Sequence, residues 1–161
     1  MRVTLAICSL YREAGGGWGG LSHDRPPPLR YQARMKAYLL VFLGAGFGGM
    51  LRHGANTAAT RALGMEFPWG IFLINVTGCF VMGLIAGWLA FRTQHGWSQD
   101  VRLLLTTGML GGYTTFSAFS LDFATLWERG AHSLAFVYVL GSVVLSLVAV
   151  FVGLTLVRMA S

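Results

Sequence analysis

Apolar and polar positions alternate in long blocks that divide the chain into four apolar segments with short polar connections. The segments extend from about residue 37 to 59, from about 69 to 91, from near 101 to about 128, and from about 132 to 157. Each is long enough for an α-helix to cross a bilayer, which takes about 20 residues. The pattern predicts an all-α membrane protein with four transmembrane helices.

The third segment departs from a plain membrane helix over residues 108–120, which read GMLGGYTTFSAFS. Each of its three leading glycines weakens a helix by roughly 1 kcal/mol relative to alanine, and two β-branched threonines follow. A break at membrane depth is tolerated only where protein or a wet cavity covers the freed backbone groups. Unwound carbonyls at such breaks often coordinate a cation. We predict that the third helix is broken near its middle and that this stretch is the functional centre.

The first 34 residues differ from the rest of the chain. Residues 15–20 read GGGWGG, residues 26–28 read PPP, and no sustained period is present, which is typical of a disordered tail. A signal peptide with its apolar region at residues 3–10 is an alternative, although that run is short and lacks a small-residue cleavage pattern. A third interpretation, which we favour, is that translation begins at Met35. We predict that the four-helix transmembrane domain comprises residues 35–161.

Composition and charge agree with a membrane domain. Charged residues make up 11% of the chain, against about 25% in soluble domains. The net charge is +6, but residues 1–36 contribute +4 of it. A nucleic-acid site would need a basic face on the folded part, so the charge argues against one. The two cysteines, Cys8 and Cys79, form neither a disulfide framework nor a metal-ligand spacing.

Basic residues near the segment ends show only a weak bias between the two sides of the membrane. Counted from residue 35, one side carries Lys36, Arg92, Arg102 and Arg158, and the other carries Arg61 and Arg129. Under the positive-inside rule such a weak bias permits insertion in both orientations. Two copies of the chain could then pair antiparallel.

A few polar side chains interrupt the apolar segments and are candidates for function. Arg52 either reaches the membrane interface or faces an anionic pathway or a partner subunit. Asn75 either joins helices or offers its amide N–H groups to an anion. The hydroxyls of Tyr138, Ser142 and Ser146 follow one another at intervals of four residues and share a helix face. Such serines often bond to their own backbone, so both interpretations stay open.

Three motifs occur in a fixed order along these segments. Residues 48–52 read GGMLR, residues 68–70 and 75–80 read PWG and NVTGCF, and residues 111–120 read GGYTTFSAFS. They resemble G-x-x-x-R, P-x-G-T-L-x-x-N-x-x-G-x-F and G-G-x-T-T-F-S-T-F-S of the Fluc (CrcB) fluoride channel family, over essentially all of the chain from Met35 onward. The chain departs from that family at four positions: Ile71 and Ala118 replace its usual threonines, Tyr113 stands where Phe or Leu is common, and the hydroxyl row ends early, at Val150.

The resemblance implies a fluoride channel that passively exports fluoride, a multi-pass protein of the cell membrane and an antiparallel homodimer with two pores. It implies that carbonyls of Gly111 and Thr114 from both chains hold a structural sodium ion. The fluoride pathway implied by the resemblance consists of Asn75, Phe116, Phe119, Ser117, Ser120, Tyr138, Ser142 and Ser146, with Arg52 near the vestibules.

The chemistry of these residues suits fluoride, a small and strongly hydrated anion that needs donors to replace water. Amide N–H groups, hydroxyls and the positive edges of phenylalanine rings are such donors, whereas a full positive charge would hold the ion too tightly for conduction.

Three other classes of protein fit the sequence less well. A four-helix proton-coupled exporter of drug cations needs an acid deep in a helix, but Asp122 and Glu128 lie toward the end of segment three, and the other segments lack one. A membrane scaffold would leave the broken helix and the hydroxyl row unexplained. The absence of a Ser/His/Asp set, paired carboxylates or a metal cluster argues against an enzyme.

Overall fold

The computed structural model describes residues 28–91 and 99–160, and its regular secondary structure is entirely helical. The predicted all-α class is therefore confirmed for this part of the chain. The helical elements are α1 (Pro28–Leu63), α2 (Trp69–Phe91), α3 (Gln99–Arg102), a π-helical stretch (Leu103–Leu110), α4 (Gly111–Tyr113), α5 (Phe116–Glu128) and α6 (His132–Met159).

Helix α1 begins at Pro28, well before the predicted start near residue 37. Proline has no N–H to lose in a first helical turn, and residues 29–36 contain neither Gly nor Pro. The helix ends where Gly64 adopts a φ of 87° and its N–H donates to the Thr60 carbonyl at 3.0 Å, a glycine C-cap. Residues 1–27 of the predicted tail lie outside the described residues, as do residues 92–98 of the second loop. The division at residue 35 stays a prediction.

Helices α2 and α6 pack closely because glycines line their contact. A Cβ atom added at Gly83 would overlap the Val150 carbonyl oxygen, and one at Gly153 would lie 2.5 Å from the Phe80 carbonyl oxygen. A Cβ at Gly87 would lie 3.1 Å from Cβ of Val157. Gly83 and Gly87, four residues apart, thus lie on the face of α2 that contacts α6.

Helix α1 packs on the π-helical stretch in the same manner. A Cβ at Gly44 would lie 2.7 Å from the Leu104 carbonyl oxygen, and one at Gly48 would overlap that of Met109. Gly44 and Gly48, four residues apart, thus form a small-residue face of α1 that contacts this stretch. An ion pair between Lys36 and Asp100 joins α1 to α3, the short helix that precedes the π-helical stretch.

The π-helical stretch has no signature that the apolar pattern could reveal. Within it, the Thr106 hydroxyl donates to the Arg102 carbonyl at 2.8 Å, a side-chain bond that competes with the regular backbone ladder. Turns of π-helix are frequent near functional sites. Here the stretch leads directly into α4 and the break.

The described residues contain two single helices long and apolar enough to cross a membrane, Trp69–Ala90 and His132–Met159. The predicted third crossing is divided among several short helices, and the apolar run of α1 is diluted by five glycines, Arg52 and His53. A core cluster lies where α2, α5 and α6 meet, and its buried members are Ile71, Ile74, Phe119, Leu126, Ala135 and Tyr138.

Candidate functional site

The helix is interrupted at two residues within the stretch where the sequence predicts the break. Thr114 has φ −82° and ψ 153°, and Thr115 has φ −154° and ψ 128°, so both are extended. Helix α4 ends just before them and α5 begins just after. The interruption is short and has a defined backbone path.

The break interrupts the helical ladder at the carbonyls of Gly111 and Thr114. In a continuous helix the Thr115 N–H would donate to the Gly111 carbonyl, and the Ala118 N–H to the Thr114 carbonyl. Instead the Thr115 N–H donates to Asn75 Oδ1 at 3.1 Å. The Ala118 N–H donates to Thr115 Oγ1 at 3.4 Å, which makes Thr115 the N-cap of α5. Both carbonyls that the resemblance assigns to a cation therefore have usual helical donors that bond elsewhere.

Asn75 reaches the break from α2 and pairs with both backbone groups of Thr115. Its Oδ1 accepts from the Thr115 N–H, and its Nδ2 donates to the Thr115 carbonyl at 3.3 Å. The amide orientation is dictated by this pair, because a donor must meet Oδ1 and an acceptor must meet Nδ2. Of the two interpretations of Asn75 left open by the sequence, the structure shows a contact between helical elements, and Nδ2 keeps a second hydrogen.

A second contact from α2 holds the residue before the break. The Thr77 hydroxyl lies 2.7 Å from the Leu73 carbonyl oxygen and 3.2 Å from the Tyr113 hydroxyl. Since Thr77 has one proton and the carbonyl can only accept, the Tyr113 hydroxyl is the donor in the second contact. A Cβ at Gly78 would overlap the Thr114 side chain and approach the Tyr113 ring at 3.3 Å. Helix α2 therefore lies directly against the break.

The two phenylalanines after the break form the start of a row of aromatic rings. Phe116 and Phe119 are neighbours on the surface of α5, and their ring centroids lie 5.4 Å apart. The Phe119 ring lies 5.1 Å from the Tyr138 ring, and Tyr138 lies 5.6 Å from Phe67. Phe119 is 9% exposed, but Phe116 is 79% exposed in the single chain.

Tyr138 lies at the centre of the core and carries its hydroxyl to an acid. The side chain is fully buried, and its hydroxyl donates to Asp122 Oδ2 at 3.1 Å. The sequence pattern places Asp122 only toward the end of its segment and gives no sign of this contact. The three-residue spacing of Phe119 and Asp122 is the signal that places the acid beside Phe119 on α5.

Ser142 continues the row of hydroxyls on α6. It is 4% exposed, and its Oγ has no hydrogen-bond partner among the residues the structure describes. The hydroxyl of Thr155, on the same helix, donates to its own backbone at the Phe151 carbonyl over 2.8 Å. Buried polar atoms are rarely left without a partner. The self-bonded interpretation of Ser142 is therefore wrong for this structure.

The remaining predicted residues have weaker connections to this set. The Ser117 hydroxyl lies 3.1 Å from Thr115 Oγ1, and the exposed Ser120 bonds back to the Phe116 carbonyl at 2.9 Å. Ser146 and Arg52 are half-buried. Among the described residues, hydrogen bonds and ring contacts do not join these last two to the aromatic row.

The fold and the site together define an all-helical membrane protein with an interrupted helix held between two of its neighbours. A family profile described as CrcB-like protein, Camphor Resistance (CrcB), matches residues 39–154, and the chain belongs to this family. The resemblance stated from the motifs is confirmed.

Curated relatives match the chain over nearly their whole length. The fluoride-specific ion channel FluC of Rhodopseudomonas palustris (strain BisB5) is 62% identical over 121 residues, which cover 75% of this chain and 96% of that protein. Fluoride-specific ion channel FluC 2 of Nitrobacter hamburgensis is 60% identical with the same coverage. The FluC protein of Beijerinckia indica is 52% identical over 127 residues, 79% of this chain and 100% of that protein.

Proposed function

We propose that this protein is a fluoride-specific ion channel that passively exports fluoride across the cell membrane. The observation that carries the proposal is the buried Ser142 hydroxyl. It has no hydrogen-bond partner among the described residues and continues the row begun by Tyr138 beside Phe119. A buried hydroxyl free to donate suits a small anion that must exchange water for protein donors. The proposal also rests on membership of a family whose curated relatives are named fluoride-specific ion channels.

The proposed pathway begins at the edges of the two phenylalanine rings. Ring edges are weakly positive, so Phe116 and Phe119 can face fluoride without binding it as a lysine would. The second Nδ2 hydrogen of Asn75 would add a donor on this side of α5, with the Ser117 and Ser120 hydroxyls nearby.

From there the pathway continues along α6. Tyr138, Ser142 and Ser146 recur every fourth residue of this helix and supply hydroxyls along one face. Arg52, half-buried on α1, would lie near the pathway mouth and draw anions toward it. Conduction requires contacts weak enough for the ion to leave, and the pathway meets this requirement because its interior donors are uncharged.

The second copy of the chain is part of the proposal. Phe116 and Gly111 are both exposed in the single chain, although they flank the break. An antiparallel second chain that covers them would bury the break and bring the breaks of the two chains together. The weak bias of basic residues is compatible with such insertion in both orientations. Four crossings per chain, with α3 to α5 and the π-helical stretch forming the third, complete the proposed multi-pass channel.

A structural sodium ion at the dimer centre fits the groups present. Hard cations prefer oxygen ligands, and the carbonyls of Gly111 and Thr114 have lost their usual helical donors. When bound, the ion would supply positive charge against the converging carbonyl dipoles. The chain contributes the ligand set by holding Thr114 and Thr115 extended.

The test is fluoride efflux from liposomes reconstituted with the full chain and read with a fluoride electrode. We expect rapid passive efflux from protein-containing vesicles and only background leak from protein-free vesicles. Efflux at the background rate from vesicles that contain correctly assembled protein would contradict the proposed function. Export of drug cations driven by a pH gradient would point to the exporter class instead.

A further inference from the structure

Helix α2 makes two separate hydrogen-bonded contacts with the break from positions two residues apart. Asn75 pairs with the backbone of Thr115, and Thr77 accepts from the Tyr113 hydroxyl. The two contacts flank Thr114, whose side chain fills the space above Gly78. Helix α2 thus holds the break at the residue before Thr114 and at the residue after it.

We propose that Asn75 and the Thr77–Tyr113 hydrogen bond position the carbonyl ligands of the cation site, with Asn75 keeping the Gly111 carbonyl out of the helical ladder. This inference rests on the structural sodium of the proposed function. It assigns to Asn75 a second task beside the fluoride pathway, so one side chain connects the anion path with the cation.

The role of Asn75 follows from competition for a single donor. The Thr115 N–H has two possible acceptors, Asn75 Oδ1 and the Gly111 carbonyl four residues earlier. The glycines at positions 111 and 112 leave the backbone free enough to close that helical turn. A carbonyl that accepts an N–H is a weaker cation ligand, because the same lone pairs face the amide proton. Removal of Asn75 therefore favours the closed turn and lowers sodium affinity.

The role of Tyr113 concerns the last residue of α4. Its hydroxyl anchors α4 to Thr77 one residue before the first extended position. On the other side, a Cβ at Gly48 would lie 2.8 Å from the Tyr113 N atom, so α1 and α2 enclose this residue. The Phe or Leu common at this position in the Fluc family has no hydroxyl, which makes the anchor a feature of this chain.

The experiment measures sodium affinity through stability. The full chain is purified in detergent, and its thermal unfolding midpoint is followed as NaCl replaces N-methylglucamine chloride at constant ionic strength. We expect sodium to raise the unfolding temperature of the wild-type protein until the effect saturates. The sodium concentration that gives half of this effect is called the sodium midpoint. Tyr113→Phe and Thr77→Val should each raise that concentration about threefold, the effect of a typical hydrogen bond between membrane helices.

The variants are designed so that a shared contact can be recognised. Since Tyr113→Phe and Thr77→Val remove the same hydrogen bond, the double variant should shift the sodium midpoint no further than either single variant. Asn75→Leu removes the acceptor that competes with the Gly111 carbonyl for the Thr115 N–H, and it should raise the midpoint at least about tenfold. Thr155→Val is the matched control, because its hydroxyl bonds only to its own helix, and its sodium midpoint should equal that of the wild type.

Each other outcome overturns the inference. A wild-type protein without sodium-dependent stabilisation would do so, as would variants with lower stability in every salt but an unchanged sodium midpoint. Should Asn75→Leu fail to fold, the Tyr113→Phe and Thr77→Val pair still decides the matter. Fluoride efflux measured in parallel separates the two proposals. Normal wild-type efflux with unshifted sodium midpoints refutes only this inference, whereas absent wild-type efflux refutes the proposed function.

Discussion

Replacing Phe116 or Phe119, the two phenylalanines after the break, with isoleucine should sharply lower fluoride flux while the protein still assembles. Isoleucine keeps much of the apolar bulk but removes the ring and its positive edge. In the single chain Phe116 is 79% exposed and Phe119 is 9% exposed. The two substitutions therefore both test the role of the ring edge, one at an exposed position and one at a buried position.

The structural cost of each change can be estimated from the ring contacts. Phe119 touches two rings, those of Phe116 and Tyr138, and each aromatic pair contributes about 0.5–1.5 kcal/mol beyond its buried area. Phe119→Ile should thus destabilise the chain by about 1–3 kcal/mol. Phe116 loses one such pair, so Phe116→Ile should cost about 0.5–1.5 kcal/mol and is the cleaner probe.

The expected change in flux follows from the loss of the ring edge. If an edge stabilises the passing ion by about 1.4 kcal/mol, its loss lowers flux about tenfold. A methionine in place of either ring should be milder, because its polarisable thioether partly replaces the aromatic contact.

The assay is fluoride efflux from liposomes, with a size-exclusion profile of the same preparation as the test of assembly. Phe123→Ile is the matched control on α5. This half-buried ring packs against the same core cluster, but its ring pair is with Trp127 and not, among the described residues, with a ring of the aromatic row. It should retain near-wild-type flux. Near-normal flux in both Phe116→Ile and Phe119→Ile would refute the pore-lining role and return both rings to the core.

Three further predictions concern the hydroxyl row and the N-terminal residues. Ser142→Ala should lower flux without loss of thermal stability, because it removes a buried hydroxyl that has no partner among the described residues. Ser120→Ala, which loses a bond to its own helix, should change flux less, and equal flux in the two variants would contradict the pathway. Tyr138→Phe should lower the free energy of unfolding by about 1–3 kcal/mol, since the half-buried Asp122 carboxylate loses its donor, and an unchanged unfolding midpoint would show that the hydrogen bond contributes nothing. Deletion of residues 1–34 should leave rescue of fluoride-sensitive cells intact, and failure of the shortened chain where the full chain succeeds would contradict the predicted domain boundary.

Helix packing could be predicted from the sequence because it depends on local spacing. Glycines four residues apart, such as Gly44 and Gly48, lie on one helix face wherever the helix is placed. The break could be predicted for a similar reason, since three glycines and two threonines weaken a helix in any context. The shared face of Phe116 and Phe119 follows from the same periodicity.

The contacts that define the site could not be predicted, because they join residues distant in sequence. Asn75 and Thr115 are 40 positions apart, and nothing in either local pattern identifies the other as its partner. The hydrogen bond between Tyr138 and Asp122 likewise joins two different helices, α6 and α5. Apolar periodicity also does not determine the register of backbone hydrogen bonds. The π-helical stretch, in which the Thr106 hydroxyl donates to the Arg102 carbonyl, therefore had no visible signal in the sequence.

The most direct test of the channel proposal is fluoride efflux from liposomes that have no gradient other than that of fluoride. The two sides are matched in pH and sodium, and charge balance is provided by a potassium ionophore. We expect fast efflux under these conditions and none when chloride replaces fluoride as the trapped anion, because the proposed pathway provides donors for a small anion and the proposed sodium has only a structural role. Efflux that requires an imposed proton or sodium gradient, or that is equally fast for chloride, would contradict the channel proposal.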